Sequence, residues 1–224
     1  MSEITINASA AILRATVHLP LSGVWSAELE VDTDEDITGA CTLEADGSTW
    51  LSGTVVEGAV SHGLWRGRIV GGAAGLRGTL SPKAYRDATL ADVLGDALSE
   101  SGEALSGTSS ALAVAARLWH RTEGAAARTV AAVAAAAGYG WRVLADGSVW
   151  LGAESWPDAT AADVTLVDRD PSQRRWVLGG DVISLSPGTL LQVRDDTADV
   201  FVRVGPVRLD LAPDAFTATV WQAP

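Results

Sequence analysis

The sequence predicts a mainly β protein with an α+β insert, in which two small β-barrel-like modules flank a helix-plus-hairpin domain. Three observations carry this. Short apolar runs of period two, punctuated by Gly and Ser, fill residues 10–84 and return after Trp156-Pro157. Between them the apolar spacing lengthens to that of a helix. The tetrapeptide Ala-Asp-Gly-Ser occurs at 45–48 and again at 145–148, each time leading into Trp-Leu, at Trp50-Leu51 and Trp150-Leu151. Asp-Gly between β-prone runs is a strong hairpin signal, because a type I′ turn needs φ > 0 at both central residues. Asp46-Gly47 and Asp146-Gly147 are therefore the expected structural turns, and the expected modules are 1–84, 85–155 and 156–224.

Within the first module, Leu29 and Val31 alternate with Glu28 and Glu30, then come the hairpin at 46–47 and strands at 54–56, 64–70 and 78–80. A two-residue loop pairs Leu43 with Trp50 and leaves Glu44 and Thr49 on the opposite, exposed face. At Thr89-Leu90-Ala91-Asp92 the pattern is that of a capping box. Leu90, Val93, Leu94, Ala97 and Leu98 then form one helical stripe that ends near Gly102. A second helix is expected over about 109–120 and a third, almost all Ala and Val, over about 123–137, with Gly138 closing it. In the second hairpin a two-residue loop pairs Val143 with Trp150, Trp141 with Gly152 and Leu144 with Val149. Both faces are then apolar, so both should be covered, one of them by the Ala-rich helix. Further strands are expected at 164–167, 175–178, 182–185, 190–193, 200–204, 207–211 and 216–221, with turns at 186–188 and 195–196. The elements around the two hairpins differ, so the shared tetrapeptide does not imply a duplicated domain.

The bulk numbers bound function by exclusion. The chain has 224 residues, 47% hydrophobic, with a mean hydropathy of +0.18. Its formal net charge of −12 is spread evenly, at −5, −3 and −4 over the three modules. Without a basic stripe, nucleic acid and anionic membrane are poor partners. Fifteen of the sixteen basic residues are Arg, Lys83 being the exception. Cys41 is alone, so no internal disulfide is possible. The opening residues carry neither a basic n-region nor an apolar h-region, so no signal peptide is expected.

Tests for chemistry return little. Gly71-Gly72-Ala73-Ala74-Gly75 follows a strand but lacks phosphate-loop spacing and a Lys-Ser/Thr, so it reads as a tight connection. Asp32, Asp34 and Asp36 alternate like the start of a calcium loop, yet Ile37 and Leu43 stand where that loop needs Gly and Glu. His18, His62 and His120 have no metal-ligand spacing, and no Gly-x-Ser-x-Gly elbow exists. Neither catalysis, metal nor cofactor is expected. Nine Trp residues are the remaining lead, most of them inside alternating runs that suit core packing. Trp119 and Trp156 are the candidates to face a partner.

The middle segment carries a resemblance. Ala84-Tyr85-Arg86, Thr89-Leu90-Ala91-Asp92-Val93-Leu94 and Ser101-Gly102-Glu103 precede the Ala-rich helix and then Trp141-Arg142-Val143-Leu144-Ala145-Asp146-Gly147-Ser148-Val149-Trp150-Leu151-Gly152. This resembles the baseplate hub proteins of phage tails and related injection machines. Leu185-Ser186-Pro187-Gly188-Thr189-Leu190 is similar to the family's second barrel. The resemblance implies a homotrimer whose paired barrels form a pseudo-sixfold ring continuing the tail tube. Its implied partners are tube, distal-tail or spike proteins, and its implied place is the virion tail, after assembly in the bacterial cytoplasm. It implies no cofactor and no active site. At 224 residues the chain is short for a hub, so a related distal-tail component is a second possibility within the family. A carbohydrate-binding β module using exposed Trp is the reading from a different class.

Overall fold

The computed structural model describes residues 3–156, 164–194, 199–213 and 215–223. Six antiparallel strands close a barrel: β1 (Ile4–Ile6), β2 (Ala10–Leu19), β3 (Ser26–Asp32), β4 (Ala40–Ala45), β5 (Ser48–Ser61) and β6 (Leu64–Gly71). Their order is β1-β4-β5-β6-β3-β2, and β1 pairs with both β4 and β2. Alternation does the closing. Ala15, Val17, Leu19, Ala27, Leu29 and Val31 point inward and are buried, while Glu28 and Arg14 point out. Trp65 is fully buried, with its indole N–H donating to Asp36 Oδ1 at 3.2 Å. One exposed carboxylate of the expected acidic loop at 32–36 thus caps the indole of a core ring. In the first hairpin Ala45 faces Ser48, with φ +49 at Asp46 and +74 at Gly47, the expected type I′ turn. Beyond it the register slips, so Leu43 pairs with Leu51 rather than Trp50, which occupies a bulge.

The middle segment contains β7 (Thr79–Leu80), β8 (Lys83–Thr89), α1 (Leu90–Ser101), β9 (Ala115–Arg121), β10 (Gly124–Ala125), α2 (Ala126–Ala137), β11 (Gly140–Val143) and β12 (Val149–Gly152). The capping box forms: Thr89 Oγ1 accepts from Asp92 N–H at 3.2 Å, and Asp92 Oδ2 accepts from Thr89 N–H at 2.7 Å. The predicted stripe Leu90, Val93, Leu94, Ala97, Leu98 is the buried face of α1. Left-handed Gly102 and Gly138 close the two helices. The helix expected over 109–120 does not form: 109–114 belong to no helix or strand, and Ala115–Arg121 is strand β9, which pairs with β8. Tyr85 stands opposite Trp119, and the Arg121 guanidinium reaches Glu100 of α1. Those tertiary partners outweigh the helical bias of an Ala-rich stretch. Residues 124–125, expected in the third helix, pair with β7 instead.

After Trp156 come β13 (Val164–Asp170), β14 (Arg175–Gly180), β15 (Leu190–Arg194), β16 (Asp199–Ala212) and β17 (Ala215–Gln222). The expected strands at 200–204 and 207–211 merge into β16, with Pro206 inside the register shift between Val204 and Val207, where a missing N–H costs no ladder bond. Residues 182–185 are not a strand: Leu185 N–H bonds Val182 O in a turn that buries both side chains. The turn expected at 195–196 lies outside the described residues. The first part of β16 pairs with β15, and its second part lies between β17 and β2, with Leu209 opposite Val17. The barrel and the last strands are therefore one continuous sheet of eleven strands.

Candidate functional site

The second hairpin is the joint of the molecule. Val143 faces Val149, Trp141 faces Leu151 and Arg142 faces Trp150, one residue away from the expected register. The loop has three residues, not two. Leu144 N–H bonds Ser148 O (2.8 Å), Gly147 N–H bonds Leu144 O (3.0 Å), and at 145–147 only Gly147, at φ +84, is left-handed. This is a type I turn followed by a glycine bulge. Asp146 Oδ1 accepts from the Ser148 hydroxyl (2.7 Å) and amide (2.9 Å), which hold its carboxyl below the usual range. The shift changes what each face carries. Val143, Val149 and Leu151 are buried on one side. On the other, the Arg142 guanidinium lies 4.2 Å from the Trp150 ring and 5.4 Å from Trp156 while pairing with Glu154. One cover expected to be apolar is thus a cation–π stack.

The turn docks onto the open end of the barrel. Ser52 N–H donates to Ala145 O (2.7 Å), and Trp25 Nε1–H to Leu144 O (3.2 Å). Gly23 exchanges two backbone bonds with Trp141 and Val143 of β11, and Ser22 Oγ adds a third contact at 2.9 Å. Trp25 fits because Gly53 and Gly71 lie against its ring, where a Cβ would come within 2.8 Å and 2.5 Å of it. Gly147 is confined likewise, with Ser52 O only 3.1 Å from where a Cβ would stand.

The glycine run beside this turn does hold an anion, but one the protein supplies. Glu103 is 8% exposed, and its carboxylate accepts from Ala73 N–H (3.0 Å) and Leu76 N–H (3.2 Å). It follows helix-closing Gly102 and donates its own N–H to Leu98 O. That position normally carries an apolar residue packed on the helix, as Tyr139 does after α2. A charged residue there was the available signal for this clamp.

Two clefts flank the joint. One, of about 670 Å³, is walled by Trp25, Trp50, Leu144, Ile183 and Leu185. The other, of about 700 Å³, is walled by Thr42, Thr54, Ala73, Glu103 and Ser148. Asp146, Glu103 and Arg142 are each bonded within the fold, so what the arrangement does is fix barrel, helices and hairpin together.

The remaining sequence candidates lie elsewhere. His18, His62 and His120 are exposed on three different strands or turns. Among the described residues no three His, Cys, Asp or Glu side chains stand close enough to share a metal. Burial pushes the Cys41 thiol up to about 11, so it is an unreactive core group. Trp119 is half-buried against the core, and Trp156 is half-buried over Gly188. No helix among the described residues is long and apolar enough to cross a membrane.

No known family profile and no curated protein sequence matches the chain. Solved structures do. The 43 kDa tail protein of prophage MuSo2 from Shewanella oneidensis is similar at a TM-score of 0.71 and 11% identity, over 97% of this chain and 96% of that one. A tail protein from Neisseria meningitidis MC58 gives 0.69 and 13%, over 99% and 96%. The E. coli c3393 protein gives 0.74 and 12%, over 99% of this chain and 77% of that one. It is described as a component of the type VI secretion system with structural similarity to T4 bacteriophage tail proteins gp27 and gp5. The chain has the fold of these tail proteins, the fold that the resemblance in its middle segment implied.

Proposed function

We propose that the chain is a structural component of a phage tail or phage-like injection machine, a hub subunit forming a trimeric ring that joins the tail tube to the tip or spike. One observation carries this reading: the fold is shared end to end with two tail proteins, over 96% of each of them. The architecture supports it. Each protomer holds a closed barrel and a second β unit joined in one sheet through β2 and β16, so three copies present six β units around an axis, as a ring matching a sixfold tube needs. In this reading 1–84 and 156–224 are the ring-forming modules and 85–155 braces them. Trp119 and Trp156 are the proposed partner contacts, the location is the virion tail, and the role is mechanical rather than catalytic. The polar groups of the joint are spent on holding modules together, which supports that last point.

Light scattering and particle imaging test the reading. The expected result is a mass of three protomers and a ring with an open centre. A protein that stays monomeric at every concentration and binds no tail protein overturns it. Two of the nine Trp residues are buried and the other seven are half-buried, whereas the carbohydrate-binding alternative calls for exposed rings.

A further inference from the structure

The two helices begin differently. α1 starts with a capping box and an acidic first turn, whereas α2 starts at Ala125, with no side-chain cap and no acidic residue in its first turn. Ala126 N–H is taken by Gly78 O, but among the described residues no side chain caps the N–H groups next in line. Beside that end is a small cavity of about 70 Å³, walled by Trp119, Arg121, Thr122, Arg128 and Thr129.

Arg121 makes the feature more than an uncapped helix. Its side chain is only 2% exposed. Nε donates to Ser81 O at 2.9 Å and Nη2 pairs with Glu100, while Nη1 is buried with no hydrogen-bond partner. A buried guanidinium N–H without an acceptor is costly, and such groups call for a ligand or an ordered acceptor. Thr129, also buried, lines the same space, and Arg128 projects from the first turn of the helix. The cavity volume is about that of two water molecules, enough for the head of a carboxylate or a small oxyanion.

We infer that this cavity is an oxyanion site, holding a carboxylate or phosphate group between Arg121 Nη1, the Arg128 guanidinium and the first-turn amides of α2. The buried arginine fixes the position and the helix end adds backbone donors, the arrangement that recurs where helices bind anions. Glu123 also lines the cavity. It is exposed at the rim, and its charge opposes the ligand. The site does not rest on the tail reading, since it is built within one protomer.

The test is a titration of the ¹⁵N-labelled protein with inorganic phosphate and, separately, with acetate, against chloride at matched ionic strength. Saturable shifts of the Ala127, Arg128 and Thr129 amides and of the Trp119 indole N–H are expected. Arg121 is left intact, because it is a buried group tied to Ser81 O and Glu100, and removing it would disturb the fold. Arg128→Gln should weaken binding about threefold, and Glu123→Gln should strengthen it about threefold. Both positions are exposed, so neither variant threatens folding. Shifts with phosphate alone assign a tetrahedral oxyanion; shifts with both anions assign a site that also accepts carboxylate. No saturable shift at these amides with either anion overturns the inference, as does binding unchanged by both variants.

Discussion

The two Ala-Asp-Gly-Ser hairpins share a tetrapeptide and the Trp-Leu that follows, yet they turn differently. At 45–48 the loop is a two-residue type I′ turn with both Asp46 and Gly47 left-handed, and Asp46 is tied to β1, exchanging bonds with Glu3. At 145–148 the loop has three residues, only Gly147 is left-handed, and Asp146 is tied to its own Ser148. Asp-Gly tolerates both geometries, because the shared demand is a left-handed glycine. The partner of the aspartate differs with the turn. In the first copy it is a neighbouring strand, and the turn serves the barrel that contains it. In the second it is the turn itself, and the carbonyls of Leu144 and Ala145 accept from Trp25 and Ser52. A local motif fixes that the chain reverses, and the surroundings fix how.

The largest expected effect comes from removing the anchor of the second copy. Trp25→Ala deletes a buried ring and the bond to Leu144, costing about 3–5 kcal/mol. Amide exchange should show residues 144–147 losing protection while 45–48 keep theirs; equal loss at both hairpins would mean that the joint is not what holds the second turn. Next is Glu103→Leu, which leaves the Ala73 and Leu76 amides without an acceptor and should cost about 2–3 kcal/mol in denaturant unfolding. Third is the same substitution in both turns. Gly47→Ala has open space around it and pays only for its left-handed φ, about 1 kcal/mol, whereas Gly147→Ala also meets Ser52 O and should lose about 2 kcal/mol. Equal losses would show that docking adds no constraint. The smallest effect is a pH effect. Because Ser148 lowers the Asp146 carboxyl from its ordinary 3.8, its contribution is present above that value and lost as pH falls through the lower folded-state value. Asp146→Asn should flatten this part of the acid limb of stability, measured by thermal unfolding from neutral pH to pH about 2.

What was legible in the chain was whatever is encoded locally. The stripe from Leu90 to Leu98, the Thr89 and Asp92 box and the closing Gly102 all lie within a few turns of each other, and α1 follows from them. Strand β9 was not legible, because its Ala-rich start favours helix and its reasons for extending, Tyr85 on β8 and Glu100 on α1, come from about 20–35 residues away. The joint was half legible. Asp146-Gly147 announced a turn, but the three-residue loop and the Trp25 contact depend on a surface 119 residues earlier in the chain. Glu103 carried a readable oddity, a carboxylate where Tyr139 shows the apolar norm, although its target loop is 27–30 residues away.

The pairing of β2 with β16 has a consequence for synthesis. Thr16 donates to Asp210 across 194 positions of sequence, so the outer edge of β2 at residues 15–19 is left unpaired until the ribosome has passed residue 211. At ordinary elongation rates that interval lasts on the order of 10–40 seconds. Throughout it the nascent barrel presents an open strand edge, a template for pairing with another chain. Copies made close together on one message are then at their greatest risk of cross-pairing, and the last strands act as the built-in guard that ends it.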